Sequence, residues 1–475
     1  MEERKAKVLI LGGGPGGRVA YMALRRMGVD SVALVADEEP TVICSLPYGV
    51  GRRLVPDGPE KVVVDLARSP RLPEDMPKDV IWGTAHSVDP QGRTAQVVAR
   101  DGEVRVCYES LILAPGAAPW LPELPGVLRD APGEGGPTVM VGNRLVPRGA
   151  LGENVHVLRG ARDARDLDEL AGWANRVVVV GTGAIGLETA EAFADRGVAV
   201  TLVEVLDHVV AALDPELAAV VENTLWSRKV EVLTGVKAAA VEPGGLRLED
   251  GRLLESDGVV FASGVRPRLD LPRAMGVATD RGILTDSRMA TNLPGVYAVG
   301  DAAQIPDAAT GRSLLPLIGT LAMRQALVAA ANLVGMPMAL PPATVWGVSE
   351  IFGLHWGSVG WTLEAATRAG IRAFPLSQPV RSRDPFMAGR DGVWRLTVAA
   401  PGNEGLAPGQ ILGFQVVTEG DSPLHLAERF VDVVTRRETV QDLFARYFIH
   451  SPSHNGVDDP YLGLLFQAQE AMRQG

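Results

Sequence analysis

The stretch Lys7-Val8-Leu9-Ile10-Leu11-Gly12-Gly13-Gly14-Pro15-Gly16-Gly17 decides the fold of this chain. Its first five residues have the pattern of a short buried strand, and Val19 to Met27 have that of a helix. In the spacing Gly12-x-Gly14-x-x-Gly17, the first glycine permits a tight turn, the second lets a pyrophosphate approach, and the third lets the helix pack on the strand. A ribose-binding acid is expected after the second strand, where Asp37 stands one place late. The sequence therefore predicts a dinucleotide-binding unit.

The same arrangement returns in the middle of the chain. Arg176 to Val180 has the strand pattern, Gly181-Thr182-Gly183-Ala184-Ile185-Gly186 supplies the turn, and Leu187 to Asp195 has the helix pattern. Glu204 ends the next strand, about twenty residues past the glycines, which is the spacing of an acid that binds the adenosine ribose. A 2′-phosphate would need an arginine nearby, and Val205 to Ala212 contains none. This unit therefore favours NADH over NADPH.

Size and charge narrow the class of protein. A chain of 475 residues is long enough for two to four domains, and its net charge of -11 disfavours nucleic acid and anionic membranes as partners. No apolar run is long enough to cross a bilayer and no secretory leader is visible, so we expect a cytoplasmic protein. The two cysteines, Cys44 and Cys107, are too few for a Cys-based zinc or iron–sulfur site, so no metal site is predicted. Cys107, beside Tyr108 in a strand-like run, is expected in the core.

Proline and glycine mark the boundaries along the chain. Residues from Pro119 to Arg148 are crowded with both and predict a long surface loop. Pro337, Pro341 and Pro342 mark a linker into a third region of mixed strands, which contains an amphipathic helix from Ser422 to Arg436.

Three further stretches complete a recognisable pattern: Leu111-Ile112-Leu113-Ala114-Pro115-Gly116, Ala262-Ser263-Gly264-Val265-Arg266-Pro267 and Leu293-Pro294-Gly295-Val296-Tyr297-Ala298-Val299-Gly300-Asp301. Together with the two glycine turns, in this order, they resemble the FAD-dependent pyridine nucleotide-disulfide oxidoreductases. The resemblance covers nearly the whole chain. It implies an α/β fold of two Rossmann-like domains, which bind FAD and NAD(H), and a C-terminal α+β dimerisation domain.

The resemblance also assigns regions and cofactor residues. It implies an FAD-binding domain in two parts (1–150 and 281–338), an NAD(H)-binding domain (151–280) and a C-terminal dimerisation domain (339–475). Asp301 is expected at the ribityl chain and pyrophosphate of FAD. The residues expected to bind FAD or NADH are Gly12, Gly14, Pro15, Gly17, Asp37, Ala114, Pro115, Gly116, Gly300, Asp301, Gly181, Gly183, Ile185, Gly186, Glu204 and Gly264.

The segment Val42-Ile43-Cys44-Ser45-Leu46-Pro47-Tyr48-Gly49-Val50-Gly51 resembles the single-cysteine branch of that family, which includes coenzyme A disulfide reductase, persulfide and polysulfide reductases, NADH oxidase and NADH peroxidase. Dithiol relatives carry a second cysteine where this chain has Gly49. The Cys44 sulfur can therefore cycle only as thiolate, sulfenic acid or mixed disulfide. Peroxidases and oxidases place a histidine where this chain has Pro15, which favours a thiol, disulfide or other sulfur substrate. An NADH oxidase, or a reductase that passes electrons to a protein partner through the 119–148 insertion, stays an open alternative.

The resemblance suggests further site residues. Arg25, Arg26 and Lys61 sit where coenzyme A disulfide reductases bind the coenzyme A phosphates, and with Tyr48 they are the substrate-site candidates. Glu188 is expected near the flavin and the nicotinamide. His450 stands where those reductases carry a tyrosine in a tail that reaches the partner subunit's cysteine. An imidazole there could protonate a leaving thiolate and lower the pKa of Cys44. We therefore expect a homodimer in which Cys44, His450 and Glu188 are catalytic.

Overall fold

The structure, a computed structural model, describes residues 2–63, 76–129 and 137–474. Two largely parallel sheets with covering helices and a separate antiparallel C-terminal sheet dominate these ranges. The predicted α/β class, with two Rossmann-like units and a C-terminal α+β region, is confirmed. None of the helices in the described ranges has the length and apolar character needed to cross a membrane.

The first unit is built on β1, which pairs in parallel with β2 on one side and with β5 on the other. Val8 and Ile10 face one hydrophobic core and Leu9 and Leu11 face another, so the strand is buried on both faces, as its continuous apolar run predicts. The elements of this part are β1 (Glu2–Leu11), α1 (Pro15–Arg26), β2 (Val32–Ala36), α2 (Leu46–Gly51), α3 (Met76–Asp79), β3 (Val80–Asp89), β4 (Thr94–Ala99), β5 (Gly102–Leu113), β6 (Ala117–Leu121), β7 (Thr138–Val141) and β8 (Arg144–Pro147).

The second unit is a five-stranded parallel sheet in the order β12-β11-β10-β16-β9. A small antiparallel sheet, β13-β14-β15, lies between β12 and β16 in the chain. The elements of this part are β9 (Val155–His156), α4 (Ala161–Trp173), β10 (Arg176–Val180), α5 (Ala184–Asp195), β11 (Ala199–Val203), α6 (Pro215–Ser227), β12 (Glu231–Leu233), β13 (Ala238–Glu242), β14 (Gly245–Leu248), β15 (Leu253–Glu255), β16 (Gly258–Phe261), β17 (Val265–Pro267) and α7 (Asp270–Ala274).

The chain then returns to the first sheet. Its next elements are β18 (Ile283–Leu284), β19 (Val296–Ala298), β20 (Ala303–Pro306), β21 (Ser313–Leu314) and α8 (Gly319–Leu333). β19 pairs in parallel with β5, and α8 packs with α1 over the core that contains Val8 and Ile10. Gly300 and Asp301, which follow β19, are thereby placed at the same sheet edge as the first glycine turn.

The segment from Pro119 to Arg148 differs from the predicted surface loop. β7 pairs in parallel with β6 and antiparallel with β8, and β17 pairs with β6. Val139 and Val141 are fully buried, because their alternation gives β7 an apolar face that packs beneath the second unit. The loop prediction is therefore wrong for these strands, while residues 130–136, where proline and glycine are densest, lie outside the described residues.

The C-terminal region is a five-stranded antiparallel sheet in the order β22-β23-β26-β25-β24. Its elements are β22 (Trp346–Ile351), β23 (Leu354–Gly360), α9 (Leu363–Arg368), β24 (Ala373–Arg381), β25 (Asp391–Ala399), β26 (Ile411–Glu419), α10 (Leu424–Thr435) and α11 (Pro460–Gln474). The predicted amphipathic helix is confirmed as α10, whose Phe430 stacks on Phe414 of β26 with ring centroids 3.8 Å apart.

A buried ion pair joins the second unit to this C-terminal sheet. Arg395 Nε of β25 donates to Asp214 Oδ2 at 2.9 Å, and both side chains are at most 7% exposed. Gln415 Nε2 donates to the same oxygen at 2.7 Å. Because a buried carboxylate is costly without such partners, this contact fixes how the second unit sits on the sheet.

Candidate active site

The first glycine turn packs directly on the segment that follows β5. Gly12 has φ +122°, a conformation that favours glycine, and a Cβ there would overlap the carbonyl oxygen of Ala114. A Cβ on Gly17 would overlap the carbonyl oxygen of Gly12. The turn and the Ala114-Pro115-Gly116 segment therefore form one continuous edge that admits no added side chain at these two glycines.

The start of α1 lies open beside that edge. Gly14, the N-cap residue, has an extended backbone and no side-chain cap, and a Cβ there would meet no atom within 4 Å. Pro15 follows at the first helical position, where its missing N–H removes no helical hydrogen bond. Gly183 before α5 has the same extended, uncapped and open arrangement. Both helix starts fit a pyrophosphate, since they offer unpaired N–H groups and the positive end of a helix dipole.

Asp301 lies next to the first turn and pairs with an arginine that the sequence analysis missed. A Cβ on Gly16 would lie 3.7 Å from the Gly300 Cα, and the Gly300 N–H donates to Gln325 Oε1 at 2.8 Å. Asp301 Oδ2 accepts a hydrogen bond from Arg159 Nη2 at 2.7 Å. No local pattern links the partners of this ion pair, because 142 residues separate them.

Two acids follow β2 and share one arginine. Arg268 lies 3.5 Å from the Asp37 carboxylate and 3.6 Å from that of Glu38. Burial raises the pKa of Glu38, and the negative charge of Asp37 raises it further. Only Asp37 was predicted from the sequence, so Glu38 is a second carboxyl group at the expected FAD ribose position.

Cys44 is exposed in a 3-10 turn, Ile43–Ser45, immediately before α2. A Cβ on Gly49 would lie 2.8 Å from the Cα of Pro59, so this position has no room for a second thiol. Cys107 is partly exposed on β5, with its Sγ 3.9 Å from Glu3 Oε1, so the prediction that it lies in the core is wrong. It points to Glu3 because β5 pairs there with the outer end of β1.

The charges around Cys44 do not favour its thiolate. Although the residue is exposed, the protein around its sulfur displaces enough water to raise the thiol pKa, and the negative charge of Glu188 raises it further. Arg159 acts in the opposite direction, and Asp301 adds to the increase. The lowered Cys44 pKa expected from the sequence is therefore not found within one chain.

Glu188 is a buried carboxyl group held by two hydroxyl groups. Ser349 Oγ, on β22, donates to Glu188 Oε1 at 2.7 Å, and Tyr48 Oη, on α2, donates to the same oxygen at 3.2 Å. Burial raises the pKa of Glu188, and both hydrogen bonds oppose that increase. The active-site helix α2, the start of α5 and the C-terminal sheet therefore meet at this one carboxyl group.

A second buried acid lies one helical turn further along α5. Glu191 Oε1 accepts a hydrogen bond from the N–H of Phe352 at 3.0 Å and pairs with Arg53, which also pairs with Glu350. Burial raises the pKa of Glu191 to about 7. Glu191 was not predicted from the sequence, although two acids three residues apart in the mostly apolar stretch from Ala184 to Ala194 are a usable signal, since such residues share a helix face.

A family model described as "Pyridine nucleotide-disulphide oxidoreductase" matches residues 6–326. The chain belongs to this oxidoreductase family. The oxidoreductase is 26% identical to an NADH oxidase of Methanocaldococcus jannaschii, over 98% of this chain and 99% of the relative. It is 25% identical to a CoA-dependent NAD(P)H sulfur oxidoreductase of Pyrococcus furiosus, over 97% of this chain and 98% of the relative.

Its fold also matches that of a solved NAD-dependent persulfide reductase from A. fulgidus. The TM-score is 0.84 at 24% identity, and the match covers 98% of this chain and 84% of the other. The predicted family is confirmed, and with it the use of FAD and NADH as cofactors.

Two of the three basic substrate-site candidates of this oxidoreductase, Arg25 and Lys61, have local partners. Arg25 Nη1 donates to the carbonyl oxygen of Asp30 at 2.5 Å, in the turn that follows its own helix. Arg26 is exposed at the end of α1, and Lys61 lies 3.7 Å from the Asp57 carboxylate on the surface. Their role in binding a substrate stays a prediction.

His450 lies at the opposite edge of the C-terminal sheet from Glu188. Its Nδ1 is 3.2 Å from the carbonyl oxygen of Gly456, whose N–H contacts the Arg381 carbonyl oxygen at the end of β24. Ser349 and its bond to Glu188 belong to β22, at the other edge. Four strand spacings separate the two edges, which is about 19 Å.

Proposed function

We propose that this flavoprotein uses NADH to reduce a sulfur–sulfur bond in a disulfide, coenzyme A disulfide, persulfide or polysulfide, with Cys44 as its lone redox-active thiol. The observation that carries the proposal is that Cys44 is exposed and that Gly49, where dithiol relatives carry their second cysteine, has no space for a side chain. A sulfur bonded to Cys44 during turnover must therefore come from the substrate.

The proposed reaction balances with one NADH for each sulfur–sulfur bond. The Cys44 thiolate attacks one sulfur of the substrate, forms a mixed disulfide and releases the other sulfur as a thiolate that takes up a proton. Two electrons from NADH then cleave the mixed disulfide, which regenerates the Cys44 thiolate and releases the second thiol. FAD, when bound in the open cradle at Gly14, supplies the two-electron transfer between NADH and sulfur.

Replacing Cys44 by serine tests the proposal. Cys44→Ser should retain bound FAD and lose turnover with disulfide, persulfide and polysulfide substrates, because serine cannot form the mixed disulfide. Cys107→Ser is the matched control, since it removes the other thiol, and it should keep full activity. Unchanged sulfur reduction by Cys44→Ser would contradict the proposal.

We also propose that the enzyme is a homodimer and that His450 protonates the leaving thiolate at the partner subunit's active site. The sheet supports this arrangement, because about 19 Å of sheet width lies between His450 and the Glu188 edge in one chain. Exposed apolar side chains near His450 also support it, since Tyr447 is 90% and Ile449 is 79% exposed. Such side chains are typical of an interface.

A mixing experiment tests catalysis across the interface. Cys44→Ser homodimers should be inactive and His450→Ala homodimers weakly active. Dissociation and reassembly of a mixture should restore about a quarter of wild-type activity, since half of the dimers then hold one intact site. If His450 acts within its own chain, mixing restores nothing. A His450→Ala homodimer with wild-type activity would remove the residue from the proposed chemistry.

An NADH oxidase is the second candidate, because a relative aligned over 98% of this chain carries that name. Oxygen uptake with NADH and no sulfur acceptor would support it. The mass of any adduct on Cys44 in the purified enzyme separates the sulfur substrates, and a coenzyme A adduct would identify coenzyme A disulfide.

A protein electron acceptor, like the cytoplasmic location, stays a prediction. The strands β6 to β8 weaken the argument for such an acceptor, because the 119–148 insertion is partly folded into the second unit's core.

A further inference from the structure

Thr182, the middle residue of Gly181-x-Gly183, is tied to the acid expected to bind the NADH ribose. Its side chain is buried, and both its N–H and its Oγ1 donate to Glu204 Oε2, at 2.9 and 2.6 Å. The Leu206 N–H donates to the other oxygen, Oε1, at 3.0 Å. Three hydrogen bonds therefore fix the orientation of the Glu204 carboxylate.

The direction of the hydroxyl proton follows from its other neighbour. The Val210 N–H donates to the Thr182 carbonyl oxygen at 3.3 Å and to Oγ1 at 3.4 Å. A hydroxyl group has one proton to donate, and an ionised carboxylate can only accept. The Thr182 proton is therefore directed at Glu204, and the hydroxyl bridges the acid to the loop that follows it.

The first nucleotide-binding unit provides an internal comparison. Leu11 pairs with Val35 there, as Val180 pairs with Val203 in the second unit, so Gly13 corresponds to Thr182 and Ala36 to Glu204. A Cβ on Gly13 would lie 2.6 Å from the Ala36 Cβ, which leaves no space for a side chain like that of Thr182. The linked threonine and acid are thus specific to the NADH-binding unit.

We propose that Thr182 is a positioning residue that sets the preference for NADH over NADPH, by preventing Glu204 from turning away from the ribose 2′ position. A carboxylate held there accepts a hydrogen bond from the ribose hydroxyl and repels a 2′-phosphate. A free glutamate side chain could rotate into solvent and admit the phosphate. The inference rests on NADH binding to the second unit and is independent of the role of Cys44.

The test removes the hydroxyl while keeping the shape of the side chain. Thr182→Val lacks the donor and Thr182→Ser keeps it. The probes are ADP-ribose and its 2′-phosphorylated form, titrated calorimetrically into the FAD-loaded enzyme. Because hydrogen bonds to charged groups are strong, Thr182→Val should lower the preference for the unphosphorylated probe about ten-fold. Thr182→Ser should restore the wild-type ratio.

Steady-state kinetics give a second readout. In Thr182→Val the KM for NADH should rise and the KM for NADPH should fall, with kcat unchanged, because the adenosine end takes no part in hydride transfer. Glu204→Gln removes the negative charge itself and therefore shows the largest loss of discrimination between NADH and NADPH that is expected. A loss of discrimination in Glu204→Gln with none in Thr182→Val would overturn the proposal, and so would Thr182→Ser behaving like Thr182→Val.

Two controls keep these outcomes interpretable. Thermal unfolding reports whether Thr182→Val folds. If Thr182→Val does not fold, Thr182→Ala takes its place, because alanine also lacks the hydroxyl and its smaller side chain fits the same space. Titration of the probes into Cys44→Ser should reproduce the wild-type ratio. If the proposed sulfur chemistry is wrong, the binding ratio of the two probes is unaffected. If the Thr182 proposal is wrong, the ratio in the Thr182 variants stays at the wild-type value.

Discussion

Replacing Ser349 by alanine should move the titration of Glu188 to higher pH. Ser349 Oγ donates the shorter of the two hydrogen bonds to Glu188 Oε1, at 2.7 Å, and Tyr48 donates the longer one, at 3.2 Å. Both bonds favour the ionised carboxylate, while burial favours the protonated form. Without the Ser349 hydroxyl, burial is opposed by Tyr48 alone, so the protonated form persists to higher pH.

The size of the shift in the Glu188 pKa follows from the burial of Ser349 and Glu188. Ser349 is 5% and Glu188 is 9% exposed, so solvent screens their hydrogen bond little. A hydrogen bond to a charged group contributes about 1.5–3 kcal/mol, which corresponds to a change of about one to two pH units. The assay is the rate at which NADH reduces the bound FAD, followed by stopped flow as a function of pH.

Ser358→Ala is the matched control. Ser358 is 6% exposed on the neighbouring strand β23, so its replacement causes a similar loss of a buried hydroxyl outside the hydrogen bonds to Glu188. The limb of the pH profile that reports Glu188 should shift in Ser349→Ala and stay in place in Ser358→Ala. Superimposable profiles for Ser349→Ala and wild type would refute the assignment of that limb to Glu188.

Three further predictions address stability and cofactor binding. Burial raises the pKa of Glu191 from 4.5 to about 7, so its contribution to stability is fully present below pH 4.5 and is lost as the pH rises through 7. Between pH 4.5 and pH 7 this pH dependence amounts to ~3 kcal/mol in the free energy of unfolding, and Glu191→Gln should remove it. Arg395→Met should lower the free energy of unfolding by about 3–5 kcal/mol, because it strands a buried carboxylate. The control Arg381→Met, at an exposed ion pair, should cost less than about 1 kcal/mol in the same denaturant titration. Gly14→Ala should fold, as judged by circular dichroism, and lose FAD absorbance, whereas Gly12→Ala should not fold; a Gly14→Ala protein that retains FAD would contradict the pyrophosphate site.

The elements around the glycine turns could be predicted because their signals are local. A buried strand, a turn that only glycine permits and an apolar helix follow one another within about twenty residues. The predicted strand from Arg176 to Val180 is confirmed as β10. Helix α1 begins at Pro15, four residues before the apolar pattern from Val19. The helix begins earlier because Pro15 suits its first turn even though that turn contributes no apolar face.

The contacts that tune the site could not be predicted in the same way. Ser349 reaches Glu188 across 161 residues and Arg159 reaches Asp301 across 142, so no periodicity or spacing links them. β7 was missed for a different reason. Its alternation covers four residues and borders a run rich in proline and glycine, and the turn signal outweighed so short a strand pattern.

The arrangement of charge around Cys44 connects its chemistry to assembly. Burial, Glu188 and Asp301 raise the thiol pKa, and Arg159, the cation that opposes them, is itself paired with Asp301. Within a single chain these groups therefore disfavour the thiolate, which is the nucleophilic form of the sulfur. Positive charge from an imidazolium across a dimer interface would favour the thiolate just where the substrate is bound. The reactivity of Cys44 would then depend on the assembled dimer, and the same imidazolium could afterwards give its proton to the leaving sulfur.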